Sequence, residues 1–168
     1  MPATLSYPRR RPLGFAVALL VALTTFAGLD VTTARPAEAA TSTATPRTAP
    51  ASALAARALQ IAPAYRGRPY RWGATGPWSF DCSGYTRYVF ARAGKWLPRT
   101  AAAQYAATRH LSRGAARPGD LIFLKNRYGH VYHVGIYAGH GRYWEAPHPG
   151  DVVKLAPIYG TWSVGRVI

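Results

Sequence analysis

The second half of the chain is cut into short apolar runs. Leu121-Ile122-Phe123-Leu124, His133-Val134-Gly135-Ile136-Tyr137, Arg142-Tyr143-Trp144-Glu145, Val152 to Leu155 and Trp162 to Ile168 are each too short for an ordinary helix. Pro118-Gly119 precedes the first run, and Gly139-His140-Gly141 separates the second from the third as a hairpin turn does. Such runs pair as antiparallel strands. Ahead of them the apolar period is helical. Ala51 to about Ala62 carries Leu54, Ala58 and Leu59 at helical spacing and stops at Pro63. A second helix is expected from Cys82 to about Ala93, with Tyr85, Val89, Phe90 and Ala93 on one side. Asp81 is placed to cap its start and Gly94 its end. Helices first and strands afterwards predict an α+β fold, with helices packed on one face of an antiparallel sheet.

The front of the chain reads as a removable export signal, residues 1–39. Arg9, Arg10 and Arg11 form a positive start, Leu13 to Leu29 is mostly apolar, and Ala37-Glu38-Ala39 fits a small-x-small cleavage site. A membrane anchor wants about 20 apolar residues. This run is shorter and interrupted by Thr24 and Thr25, so no stable membrane anchor is expected after removal. The arginines do not decide between general and twin-arginine export, because Pro12 and Gly14 depart from the latter pattern. Residues 40–52, rich in Thr, Ala, Pro and Ser, read as a flexible linker. Residues 53–168 are left as one folded domain.

Charge narrows the partners. The chain has 21 Lys and Arg against 6 Asp and Glu. The signal takes four Arg and two acids, so the remainder keeps 17 basic and 4 acidic residues, a net +13. That charge attracts polyanions. For an exported protein these are anionic polymers of the cell envelope rather than nucleic acid. A secreted, wall-associated location is the expectation.

Cys82 is the single cysteine, so it has no partner within the chain for a disulfide. It stands in the first turn of the predicted helix, where unpaired N–H groups and the helix dipole favour an anion. Ser83 and Gly84 leave room for a substrate. This position suits a nucleophilic thiolate better than a buried structural thiol. A cysteine nucleophile needs a base, and histidine is the usual one. Of the five histidines, His133 opens a central strand and has the most rigid mount. If the hairpin is centred on residue 139, Glu145 lies opposite His133, about 5 Å away, and can orient it. A zinc site of His130, His133 and Glu145 is disfavoured: residues three apart on a strand face opposite sides, and no compact zinc motif is present. No metal or organic cofactor is expected.

Five segments taken together, Tyr70-Arg71-Trp72-Gly73, Asp81-Cys82-Ser83-Gly84, Leu97-Pro98-Arg99-Thr100 with Gln104, Pro118-Gly119-Asp120-Leu121 and His133-Val134-Gly135-Ile136-Tyr137 with Gly139, resemble the NlpC-type family of cell-wall cysteine peptidases. The resemblance runs from about Ala53 to Ile168. It implies a papain-like fold: a nucleophile at the start of a helix packed on a four- to six-stranded antiparallel sheet. It implies a peptidoglycan hydrolase that cuts stem peptides, typically between D-glutamate and the diamino acid. The family's nucleophile and base fall on Cys82 and His133. The third position often carries histidine, and Glu145 stands there as a variant able to accept from imidazole. The resemblance also gives Tyr70, Asp81 and Ser83 roles on the substrate side, with the Tyr70 hydroxyl offered to the oxyanion beside the Cys82 N–H. Trp72 is expected in the core and Asp120 in a loop-fixing role, while Arg99 is left between pairing with an acid and meeting a substrate carboxylate. The alternatives are an amidase cutting between the sugar acid and L-alanine, and a non-catalytic wall-binding module.

Overall fold

The computed structural model describes residues 51–168. The expected signal and most of the expected linker lie outside the described residues. Helix α1 (Ala51–Ile61) begins at the last two residues of that linker. Next come α2 (Cys82–Ala93) and a short α3 (Ala101–Ala106). Six strands follow: β1 (Arg109–Leu111), β2 (Leu121–Lys125), β3 (Val131–Gly139), β4 (Arg142–Glu145), β5 (Lys154–Pro157) and β6 (Thr161–Arg166). They form one sheet in the order β1-β6-β2-β3-β4-β5, and every pairing is antiparallel. This is the papain-like α+β arrangement. Among the described residues, no helix is long and apolar enough to cross a membrane.

The sheet is apolar on both faces at its centre. On β2, Leu121 and Phe123 join the cluster that includes Leu54, Ala58, Tyr85, Val89 and Phe90 of the helices, together with Val134, Ile136 and Trp144. Ile122 and Leu124, one residue out of phase, join Tyr143, Ala156 and Val164 in a second cluster. Asp120 is buried and receives Arg166 on both carboxylate oxygens, at 2.8 Å each, and the Arg117 N–H at 2.8 Å. It fixes the turn into β2, as expected.

Local chemistry sets α2 where the site needs it. The Asp81 carboxylate accepts the Gly84 N–H at 2.7 Å, a direct N-cap, and also the Gly73 N–H at 3.0 Å. Gly94 ends the helix in the left-handed conformation. Gly84 has a packing reason. A Cβ there would stand 2.1 Å from the Ala74 carbonyl oxygen, so only glycine lets loop 73–76 close on the helix start. Buried Gln104 of α3 donates to the carbonyls of Ser83 and Pro98 at 2.9 Å each and accepts from Thr86 at 2.7 Å, which holds α3 against the first turn of α2.

Candidate active site

Cys82 occupies the first residue of α2, half-buried and free. It opens onto a groove of about 520 Å³ lined also by Tyr70, Trp72, Asp81, Ser83, Arg99 and Tyr132. His133 is buried on β3, and its Nε2 donates to Glu145 Oε2 at 2.6 Å. That contact leaves the other ring nitrogen for the Cys82 side. Burial pulls the imidazole pKa down. The hydrogen bonds and charges of Cys82 and Glu145 outweigh it and raise the pKa to about 9. The site therefore favours the imidazolium form at neutral pH, with the ring set between Cys82 and the Glu145 carboxylate.

The His133–Glu145 pair is the expected one, but its register is not. Ile136 faces Trp144 and Tyr137 faces Tyr143, so the hairpin is centred on residue 140. The turn itself is His140-Gly141, closed by Gly139 and Arg142, and β3 bulges between Tyr137 and Gly139. The position facing Glu145 in this register is Gly135. His133 is the diagonal neighbour on the same face, still within reach of two long side chains.

Sequence reasoning missed Tyr143. Its buried hydroxyl donates to Glu145 Oε2 at 2.6 Å, the same oxygen that His133 uses. Tyr143 stands two residues before Glu145 on β4 and so shares its face, which is the signal that was available. Two donors fix the carboxylate, and the carboxylate fixes the imidazole. The Tyr143 ring gains its place from Gly135, where a Cβ would fall 2.4 Å from the ring and 2.6 Å from the Trp144 carbonyl oxygen. Gly135→Ala is accordingly expected to cost about 1–3 kcal/mol by overpacking and to displace Glu145. Circular dichroism melting is the check, and an unchanged midpoint would contradict the contact.

The residues expected on the substrate side do gather around Cys82. Tyr70 is held by a backbone bridge to Phe80, two residues ahead of the nucleophile, and by its N–H to the Asp151 carbonyl at 2.8 Å. Burial, with the neighbouring Cys82 and Asp81, raises its pKa and keeps its hydroxyl a donor. Arg99 pairs with Asp81, and its Nη1 also donates to Ser83 Oγ at 3.0 Å. The acid alternative for Arg99 is therefore realised, although the guanidinium still borders the groove. Asp81 is both cap and counter-ion, and its oxygens are fully occupied by neighbours. Trp72 departs from expectation: it is 85% exposed and lines the groove instead of filling the core. His110 stacks on Tyr105, and the remaining histidines are exposed. Among the described residues no group of three His, Cys, Asp or Glu is placed to hold a metal.

Residues 67–167 match the model of the NlpC/P60 family. Among curated proteins, the chain is 52% identical over 95 residues to the probable endopeptidase p60 of Listeria monocytogenes, covering 56% of this chain and 19% of that protein. It is 45% identical over 89 residues to the bifunctional muramidase/DL-endopeptidase CwlT of Bacillus subtilis, covering 51% of this chain and 27% of that protein. The chain thus spans about a fifth to a quarter of these relatives. Among solved structures it resembles the P60 domain of antigen MAP1204 from M. avium subspecies paratuberculosis, with TM-score 0.63 and 33% identity over 70% of this chain and 97% of that one. It also resembles RipD of Mycobacterium tuberculosis, described as a non-catalytic NlpC/p60 domain protein adapted to peptidoglycan binding, with TM-score 0.58 and 30% identity over 68% of this chain and 98% of that one.

Proposed function

The chain belongs to the NlpC/P60 family, and from that premise we propose that it is an exported, wall-associated peptidoglycan hydrolase working by a Cys-His-Glu mechanism. The observation that carries this reading is the buried His133–Glu145 pair set beside a free cysteine on an open groove. Cys82 attacks the amide carbonyl of a stem peptide to form a thioester. The oxyanion takes the Cys82 backbone N–H and the Tyr70 hydroxyl. The His133 imidazolium protonates the leaving amine, and the neutral imidazole then takes a proton from the water that releases the acyl group. Glu145 and Tyr143 hold the ring through both steps. No step asks for a metal or an organic cofactor.

Arg99 and Ser83 line one wall of the groove and position the substrate, Asp81 holds Arg99 in place there, and Trp72 supplies an exposed aromatic face on its lip. The bond we assign is that between D-glutamate and the diamino acid. The family resemblance supports this, as does a relative named DL-endopeptidase. The basic surface brings the protein to anionic wall polymers. A second reading, a wall-binding module without catalysis, is favoured by the likeness to RipD. Against it stands the assembled set of Cys82, His133 and Glu145.

Mass spectrometry of fragments from purified peptidoglycan tests the assignment. The expected product carries a new free amine on the diamino acid. Release of intact stem peptides would make the protein an amidase, and no release at all would leave the binding module.

A further inference from the structure

A second cleft, of about 500 Å³, lies on the outer face of α2 and takes no part in the chemistry at Cys82. The inward face of α2 is filled by Tyr85, Val89, Phe90 and Ala93, all buried. Arg87, Ala91 and Arg92 lie on the other side and line the cleft with Thr75, Trp96 and Tyr88, whose ring also packs edge-on against buried Phe80. At about 1.5 Å per residue, Arg87 and Arg92 stand roughly 8 and 15 Å along the helix from Cys82.

The carboxylates of the described residues are all engaged elsewhere. Asp81 holds Arg99, Glu145 holds His133, Asp151 holds Lys154 and Asp120 holds Arg166. Neither Arg87 nor Arg92 has an acidic partner among the described residues. Each is laid over an aromatic ring instead. The Arg87 guanidinium carbon lies 5.3 Å from the Trp96 ring centre, and that of Arg92 lies 5.6 Å from the Tyr88 ring centre. Arg92 Nη1 also donates to the Tyr88 hydroxyl at 3.4 Å, and a guanidinium laid on a ring in this way keeps its other in-plane N–H donors for a ligand and loses little freedom when it binds. Arg87 Nε is buried and has no hydrogen-bond partner among the described residues. Trp96 is 73% exposed and offers the remaining aromatic surface.

We propose that this cleft is a second, non-catalytic site for an acidic wall glycan, whose carboxylate or phosphate oxygens take the donors of Arg87 and Arg92 while a sugar ring lies on Trp96. This rests on the reading that the protein acts on cell walls and gives the basic surface a specific address. One polymer then meets the protein at two places, a stem peptide at Cys82 and a glycan segment on the far side of the same helix.

The test uses the full chain, purified cell walls, the same walls stripped of phosphodiester polymers with hydrofluoric acid, and a small soluble stem peptide. Arg87→Gln/Arg92→Gln and, separately, Trp96→Ala are expected to lower retention on intact walls about tenfold. Both should leave turnover of the soluble peptide within about twofold of wild type, which also reports that the fold survives. Surface charge is screened beyond about 8 Å at physiological ionic strength, so raising salt should release wild type and change the double variant much less. Loss of wild-type retention on stripped walls assigns the oxyanion to phosphate, and persistence assigns it to carboxylate. The control Arg57→Gln/Arg127→Gln removes two other exposed cations and should change retention less than twofold. An equal loss in that control, or full retention of the Arg87/Arg92 variant on both wall preparations, overturns the site. Wall retention by a wild type that cleaves no peptide would instead overturn the catalytic reading and leave this site standing.

Discussion

Cys82→Ser is expected to lower peptidoglycan hydrolysis by at least about a thousandfold, as loss of a nucleophile does in enzymes whose catalytic groups act as a unit. The substitution nearly keeps the size of the side chain, and Cys82 is half-buried, so the fold should survive. It replaces the polarisable, strongly nucleophilic sulfur with oxygen. A hydroxyl in the same place stays protonated and attacks poorly. The cap from Asp81 to Gly84 and the Gln104 bonds to the Ser83 carbonyl do not involve the thiol, so α2 should keep its position. The measurement is soluble-fragment release by purified variant and wild type with matched melting curves. Activity within a few-fold of wild type would remove Cys82 from the mechanism.

Glu145→Gln is expected to keep at least about tenfold more activity than His133→Ala, because the imidazole is the acting group and the carboxylate acts through it. The amide oxygen can still accept from Nε2, but the charge is gone. The pH profile distinguishes this from a general structural loss. The His133 pKa stands at about 9, above its ordinary value of 6.5, because against the lowering by burial the contacts with Cys82 and then Glu145 favour the charged ring. The charged form is therefore complete below the ordinary value and is lost as pH rises through about 9. Protonation of the leaving amine needs that form, so kcat/KM should fall on the alkaline side in this range. Removing the Glu145 charge should move the alkaline limb to lower pH. An unmoved limb, or a Glu145→Gln rate below that of His133→Ala, would mean that Glu145 does not orient the base. Tyr143→Phe should leave the pair in place with a less firmly held carboxylate.

The parts of the site that were legible in the sequence are those fixed by local chemistry. Asp81 caps α2 through its own first turn, so the cysteine's position at a helix start followed from neighbours three residues apart. His133 was legible because a histidine inside an apolar run has a strand for a mount. Glu145 was reached through a hairpin centred one residue too early. The pairing survived because facing and diagonal neighbours on one face are both within reach of long side chains. Tyr143 was passed over because an aromatic in a strand looks like core, and here it is core and hydrogen-bond donor together. Trp72, expected in the core, lies instead on the lip of the groove, because the loop that carries it borders the groove and leaves the ring exposed. Arg99 was undecided because its partner Asp81 is 18 residues away and only the fold joins them. Strand β1 was missed because Arg109-His110-Leu111 has no apolar alternation. It is an exposed edge that exists by pairing with β6.

The most direct test of the thiolate account uses the fact that the chain has one cysteine, so a thiol reagent has one sulfhydryl target. The protein is treated with a small methylthiolating reagent in steps. The fraction of Cys82 modified is read by intact mass, and hydrolysis of peptidoglycan is measured on the same samples. The account predicts that activity falls in direct proportion to the modified fraction, reaches zero at full modification, and returns when a dithiol removes the methylthio group. Hydrolysis that persists with every Cys82 modified would contradict it.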